Sequence, residues 1–399
     1  MIRFTTAGES HGKALVAIVD GIPAGMPLLA SDIDTQLRRR MFGYGRGARM
    51  KIEADAAEIL SGVRAGETLG SPIALLIPNK DWENWTDIMA AEPLEGDSEG
   101  RRRKVLRPRP GHADLVGVLK YGRKDARDVL ERASARETAA RVGCGAVCRK
   151  LLGELGVAVG SHVVEIGSIR SDVQSLPDDI NSAADESPVR CLDPEASSAM
   201  VSLIDNAKKK GDTLGGIAEV VVTGLMVGLG SYVSWDRRLD GRLAQALMSI
   251  HGVKGVEIGL GFEGARKHGS EVHDEIERGG EPRMGGFNRP TNRAGGLEGG
   301  VTNGQPLVLR AAMKPISTLM RPLNTVNLAT GEVAKAQSER SDVTAVPAMG
   351  VIAEAMAAFI IADALLEKVG GDNMVDIKTN IASYIARLNS GSVGAETVE

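Results

Sequence analysis

The residues best suited to chemistry lie in the stretch Glu131-Arg132-Ala133-Ser134-Ala135-Arg136-Glu137-Thr138. Helical spacing around it would set Arg132 and Arg136 one turn apart on one face, with Ser134 and Thr138 as a second pair nearby. Guanidinium forks beside hydroxyls match the planar oxygen geometry of phosphate and carboxylate. A solvated helix face, with Glu131 and Glu137 pairing the arginines, fits the same eight residues equally well. Two histidines widen the choice. His11 stands in the turn Gly8-Glu9-Ser10-His11-Gly12, and His112 in Gly111-His112-Ala113-Asp114, shortly after Arg107 and Arg109. Imidazole titrates near neutral pH and can give or take a proton where a substrate approaches. A structural and a catalytic role are evenly balanced for this pair, and His162, His251, His268 and His273 have less suggestive settings.

Further arginines and one aspartate extend the pattern. Arg38-Arg39-Arg40 closes a helical stretch, where cations complement the macrodipole, but Arg46 and Arg49 fall on a glycine-rich loop from which they can reach a ligand. Arg340-Ser341-Asp342-Val343 precedes a long apolar run. Asp342 is either the cap of that helix or a carboxylate held at the edge of a site. The same tetrapeptide at Arg170 to Val173 precedes an acidic polar stretch and reads as coincidence. Gathered in one place, these groups predict a small, highly anionic substrate, since hydrogen bonds to charged groups contribute about 1.5–3 kcal/mol each. The sequence contains no dinucleotide fingerprint, Walker A loop or HExxH zinc motif in the required context, and no metal site is expected.

Those residues must be positioned by a chain of 399 residues, 43% hydrophobic and 25% charged, which is ordinary for a globular protein. A net charge of -4 speaks against nucleic acid as partner. The basic stretches 38–49 and 101–109 keep an RNA-binding module only as a remote alternative, because aromatics for base stacking make up 3%. Cys144, Cys148 and Cys191 suit buried free thiols, and the N-terminus lacks a signal pattern, so a cytoplasmic location is expected. The apolar segment 343–366 is interrupted by Pro347, Glu354 and Asp363, which predicts a core helix and no membrane span.

Periodicity predicts strands at 2–5 and 14–19 around the first turn, a helix at 31–41, and strands at 51–60 and 71–78. A long flexible loop is expected over 79–110, carrying Trp82 and Trp85 and acting as a lid. Helices are expected from 111 to 121 and continuously over about 126–155, followed by a strand at 157–169 and a polar surface excursion at 171–194. Beyond it come a helix to 210, a strand at 215–227, a helix at 237–251 and a strand at 253–260. A second glycine-rich loop at 261–304, a strand at 307–313 and a C-terminal helix after 343 complete the chain. Strands and helices mix without βαβ alternation, and no linker divides them, which favours a single α+β domain of layered sheets and helices over 1–399.

Gly8 to Gly12, Glu131 to Thr138 and Arg340 to Val343 together resemble the three signatures of the chorismate synthase family. Arg107-Pro108-Arg109-Pro110-Gly111-His112-Ala113-Asp114, Val253-Lys254-Gly255-Val256-Glu257-Ile258-Gly259 and Lys314-Pro315-Ile316-Ser317-Thr318 support it, in family order from residue 1 to about 366. The resemblance implies the last common step of the shikimate pathway towards aromatic amino acids. In it, 5-enolpyruvylshikimate 3-phosphate loses phosphate and a ring hydrogen by 1,4-anti elimination, giving chorismate. It implies reduced FMN (FMNH2), which lends an electron and recovers it, and an external flavin reductase or reductant. The alternative is a bifunctional form that reduces its own FMN with NADPH. A β-α-β sandwich assembled as a homotetramer is implied as well.

Carried over by position, the resemblance makes His11 the proton donor to the departing phosphate, His112 the partner of flavin N1, and Asp342 a group near flavin N5. Ser10, Arg40, Arg46, Arg109 and Arg136 would hold substrate, with Arg40 and Arg46 also implied as nicotinamide-nucleotide contacts. FMN contacts would be Arg132, Ala133, Ser134, His251, Gly252, Gly299, Lys314, Pro315, Ile316, Ser317, Thr318 and Arg340. At His251-Gly252 the family pattern has an amide followed by alanine, so this chain departs there.

Overall fold

Alternation of buried and exposed side chains marks the first sheet: Leu15, Ala17 and Val19 of strand Ala14–Asp20 are buried, and their neighbours are less so. In the computed structural model, which describes residues 1–47, 54–93, 103–173, 175–338 and 342–390, this strand is paired on both sides. The sheet runs Arg3–Ala7, Ala14–Asp20, Ile73–Pro78, Glu58–Ser61, antiparallel throughout. A second antiparallel sheet runs Val253–Ile258, Leu307–Met313, Gly216–Thr223, Ala158–Ile166, Ile169–Arg170.

Helices fill the space between the sheets. Gly143 in helix Thr138–Glu154 faces Leu75 and Ile77 of the first sheet, while Gly350 in helix Val346–Val369 faces Ser161 and Ala218 of the second. The two helices touch at Gly145 and Ala355. A Cβ on Gly145 would lie 2.3 Å from that of Ala355, so close crossing demands glycine. The layers are thus sheet, helices, sheet: an α+β sandwich, as expected. One hydrophobic cluster extends from Leu15 through Val147 and Ile361 to Leu309, joining all layers.

Helix Val346–Val369 is long and apolar enough to cross a membrane, yet 89% of its most apolar window is enclosed by protein. Its charges are paired inside. Asp363 accepts from the Ile2 backbone N–H and from Arg242, both at 2.5 Å, and Glu354 accepts from Arg39, Arg149 and Arg190. The three cysteines are buried free thiols, as read from the sequence.

Several boundaries differ from expectation. The helix expected over 126–155 is broken: a short turn, Arg127–Leu130, gives way to extended backbone at Ser134 (ψ 141°) before the chain re-enters helix at Thr138. The 171–194 stretch is not wholly superficial, since helix Ile180–Asp185 buries Ile180 and leads to a buried Arg190. Of the strand expected at 51–60, Glu58–Ser61 forms; 51–53 lie outside the described residues. The 261–304 region folds into short hairpins, among them Leu297–Glu298 with Val301–Thr302. Part of the expected lid, 94–102, lies outside the described residues; its start is the turn Lys80–Asn84. A helix Met374–Asn389 follows the C-terminal core helix, beyond what periodicity indicated.

Candidate active site

The turn between the first two strands is tight because Gly8 sits at φ 103°, where an added Cβ would lie 2.4 Å from the Ala14 carbonyl oxygen. Asn79 fixes its far side by donating to the Glu9 and Gly12 carbonyls at 3.0 and 2.7 Å. The near side docks on the 131–138 stretch, with Ser10 N–H donating to the Glu131 carbonyl at 2.9 Å. Consequently Glu131 Oε2 receives both the His11 backbone N–H (3.0 Å) and His11 Nδ1 (2.8 Å). Burial, the largest influence, pushes the Glu131 carboxyl up, but His11 and Arg127 outweigh it and hold it below the usual range. With Nδ1 committed to Glu131, Nε2 is the nitrogen of His11 left to exchange a proton.

The backbone break at Ser134 separates the two arginines that a continuous helix would have set side by side. Ser134 Oγ caps the next turn by accepting from Arg136 N–H and donates to Ser10 Oγ at 3.2 Å. Arg136 then turns inward, giving Nε to Asn79 Oδ1 (2.9 Å) and one terminal nitrogen to Asp55 Oδ1 (2.6 Å). Arg132 points elsewhere, donating to the Thr6 carbonyl and hydroxyl and to the Gly8 carbonyl. The expectation that Arg132 and Arg136 share a helix face is therefore overturned, although both border the His11 turn.

Arg40 completes a basic group. It donates Nε to Thr138 Oγ1 (3.0 Å) and a terminal nitrogen to the Ala135 carbonyl (2.9 Å), and lies 3.6 Å from Asp55. Burial depresses Arg40 to about 9; Asp55 opposes this, while nearby Arg46 and Arg136 add to it. Arg46 pairs with Asp342 at 2.9 Å, and Asp342 also accepts from Gly47 N–H at 2.5 Å. Asp342 thus does not cap the core helix, whose N-cap is Ala345. It ties the loop after helix Ala30–Met41 to the chain just before the core helix. Arg40, Arg46 and Arg136 converge here with Asp55 and Asp342 between them, a concentration of guanidinium donors suited to an anion.

A second group adjoins the first through Glu137. This buried carboxylate accepts from Thr6 (2.7 Å) and Arg141 (2.9 Å) and lies 3.9 Å from His251 Nδ1. Burial lowers His251 below the usual histidine range, with Glu137 opposing it, and Nδ1 is buried without a hydrogen bond. His112 is close enough to contribute to that lowering. Its Nδ1 lies 2.5 Å from Asp114, which also receives Arg109, while Arg109 reaches Thr318 Oγ1 at 3.1 Å. Asp114 is held far below the usual carboxylate range: His112 and Arg109 override the upward push of burial. Lys314 donates Nζ to the Gly111 carbonyl (2.5 Å) and its backbone N–H to the Gly252 carbonyl (2.9 Å). Ser317 flanks Gly111.

Of the residues singled out from sequence, the chain brings together Ser10, His11, Arg40, Arg46, Arg132, Ser134, Arg136 and Asp342 around one set of contacts. Arg109, His112, His251, Gly252, Lys314 and Ser317 to Thr318 form the adjoining set. Ala133, Pro315 and Ile316 lie between these residues in the chain. Gly299 lies apart, at a hairpin tip beside Tyr232, and Arg340 is outside the described residues. Sequence reading did not single out Asp55, Asn79 or Asp114, the partners that hold the arginines apart. No signal in a single sequence marks an isolated Asp or Asn as the buried partner of a distant arginine.

Two histidines with carboxylate partners, set among several guanidinium groups, define an enzyme that moves protons on an anionic small molecule. The family model for chorismate synthase matches residues 2–366. Curated chorismate synthases of Desulforudis audaxviator and Moorella thermoacetica are 57% and 58% identical, covering 99% and 96% of this chain and 100% and 98% of their own. A solved structure titled as that of chorismate synthase superposes with a TM-score of 0.76 at 44% identity, covering 97% of this chain and 98% of its own. The chain belongs to the chorismate synthase family. It is a lyase of the shikimate pathway that eliminates phosphate from 5-enolpyruvylshikimate 3-phosphate to form chorismate, and its family is flavin-dependent.

Proposed function

We propose that this lyase works with reduced FMN and that the two adjoining groups divide the labour, the basic group holding substrate and the His112–His251 group holding flavin. The observation that carries the reading is His11 locked onto Glu131 beside the arginine cluster of Arg40, Arg46 and Arg136. The elimination breaks a carbon–oxygen and a carbon–hydrogen bond and forms a double bond, with no net redox change. His11 donates its Nε2 proton to the leaving phosphate, while Glu131 holds the positive charge on the ring before transfer. Ser10, Arg40, Arg46, Arg109 and Arg136 orient the phosphate and carboxylate groups and offset their charge as water leaves.

Donors suited to a flavin surround His251. Its buried Nδ1 has no hydrogen bond among the described residues, the Lys314 ammonium and the Arg132 guanidinium supply positive charge, and Ser317, Thr318 and Gly252 supply small polar edges. Bound there, reduced FMN would supply electron density that eases phosphate departure. His112, tied through Nδ1 to Asp114, keeps Nε2 for the flavin; Asp342, paired with Arg46, and Arg340, which lies outside the described residues, are assigned to the flavin as well. Ala133, Ser134, Pro315, Ile316 and Gly299 complete the proposed flavin contacts. The chain is proposed to act as a single folding unit and a homotetramer in the cytoplasm, receiving its reduced flavin from a separate reductase.

The test is anaerobic turnover of 5-enolpyruvylshikimate 3-phosphate with chemically reduced FMN, following phosphate and chorismate together. Equimolar release that disappears with oxidised FMN is expected. Product formation from oxidised FMN plus NADPH would replace the external reductase with a bifunctional form, and turnover without flavin would overturn the cofactor assignment.

A further inference from the structure

Trp85 lies in the region that sequence marks only as a loop, yet it is buried, with 9% of its surface exposed. Its ring stacks on the His11 imidazole at 3.9 Å between centroids and 26° between planes. The indole N–H donates to Asp81 Oδ2 at 2.9 Å, one turn back in the chain, which fixes the ring's rotation. Arg103 and Arg127 lie over the indole at 4.7 and 5.2 Å from its centroid, and Arg127 is also the second partner of Glu131. His11 is therefore held by two contacts at once: a hydrogen bond in the ring plane, donated by its Nδ1 to Glu131, and a stack of Trp85 on the ring face.

We infer that Trp85 is a positioning residue for His11, holding the imidazole in the orientation that aims Nε2. This rests on the reading of His11 as the proton donor. Glu131 fixes one edge of the ring, the indole covers one face, and Asp81 holds the indole itself. Removing the indole frees the ring to rotate about the Glu131 bond, so the proton is less often aimed.

The expected outcome for Trp85→Ala is a fall in kcat of about tenfold with little change in KM. Trp85→Phe keeps a ring to stack on and should recover most of the loss. A Trp85→Ala protein that folds, by circular dichroism, and keeps wild-type kcat would overturn the inference. Fluorescence gives a second reading independent of turnover. With Trp82 and Trp235 replaced by Phe, Trp85 is the single emitter among the three tryptophans of the chain. A ring stacked on the indole quenches it, so emission should rise in His11→Asn. Emission unchanged in His11→Asn would overturn the stack. If emission rises in His11→Asn but turnover is left intact, the acid role of His11 falls and the positioning role falls with it. The two failures thus have separate signatures.

Discussion

A guanidinium can be kept in a protein interior without collapsing onto the nearest carboxylate only when its nitrogens are shared among several partners. Arg136 divides its donors between Asn79 and Asp55, and Arg40 between Thr138 and the Ala135 carbonyl. That sharing holds each guanidinium in place without collapsing it onto one carboxylate. His251 is the opposite case, a buried ring nitrogen without a hydrogen bond. Replacing His251 with Ala should weaken FMN binding in the presence of substrate up to about tenfold, the loss of one hydrogen bond, and His251→Gln should retain it. Calorimetric titration would measure both, and unchanged affinity of His251→Ala would remove that residue from the flavin site. Histidines in glycine-bounded turns are legible from sequence because the turn itself exposes them. Asp55 and Asn79 are not, because their importance comes from where Arg136 ends up. Asp342 was legible as a polar residue before a helix, but its partner Arg46 makes it a tether and not a cap.

Among the elements, the crossing of helices Thr138–Glu154 and Val346–Val369 determines how far apart the two sheets stand. Gly145→Ala would drive a methyl to 2.3 Å from Ala355 Cβ and 2.5 Å from its Cα, a contact that only backbone movement relieves. Its expected cost is about 1–3 kcal/mol in denaturant unfolding; unchanged stability would mean the helices separate freely. The same core helix carries Glu354, which accepts two hydrogen bonds from Arg39, at 2.7 and 2.9 Å, and others from Arg149, Arg190 and Ser161. Arg39 neighbours Arg40, so this clamp fixes the helix that carries Arg40, proposed above as a substrate contact. Burial pushes Glu354 up, yet the three arginines hold it at about 2 against an ordinary 4.5. A depressed carboxyl contributes stability that is complete above 4.5 and is lost as pH falls towards 2, here on the order of 3 kcal/mol. Glu354→Gln should therefore be less stable than wild type at pH 7, and the gap should narrow steadily below pH 4.5. A gap independent of pH would show that the charge contributes nothing. Periodicity found this helix because it is apolar nearly all round, and found most strands because one or both faces are buried. It ran the 126–155 helix straight through Ser134 because Ala, Arg and Glu there all have good helix propensity. The break comes from docking against Ser10, a long-range contact that local preference does not encode.

For the whole molecule, the sandwich buries most of its apolar residues but leaves others exposed among the described residues, and two groups of these are close in sequence. Tyr232, Val233 and Trp235 are 77%, 74% and 85% exposed in one loop, and Leu115, Val116, Leu119 and Tyr121 form a second patch along helix Asp114–Tyr121. Contiguous apolar surface of this kind marks interfaces. A homotetramer with dihedral symmetry needs at least two distinct self-complementary contacts, and two separated patches meet that requirement where one would end at a dimer. The second patch also follows directly on Asp114, the partner of His112 and Arg109, so assembly there would bear on the flavin side of the site. Light scattering should give four times the 42.0 kDa chain mass for the wild-type protein. Trp235→Glu, which places a charge in the first patch while leaving the second intact, should reduce this to a dimer with the fold preserved. Leu119→Glu should do the same through the other contact and also weaken FMN binding, an effect Trp235→Glu should lack. A tetramer undisturbed by either substitution would mean that other surfaces join the chains, and a wild-type monomer would overturn the proposed assembly altogether.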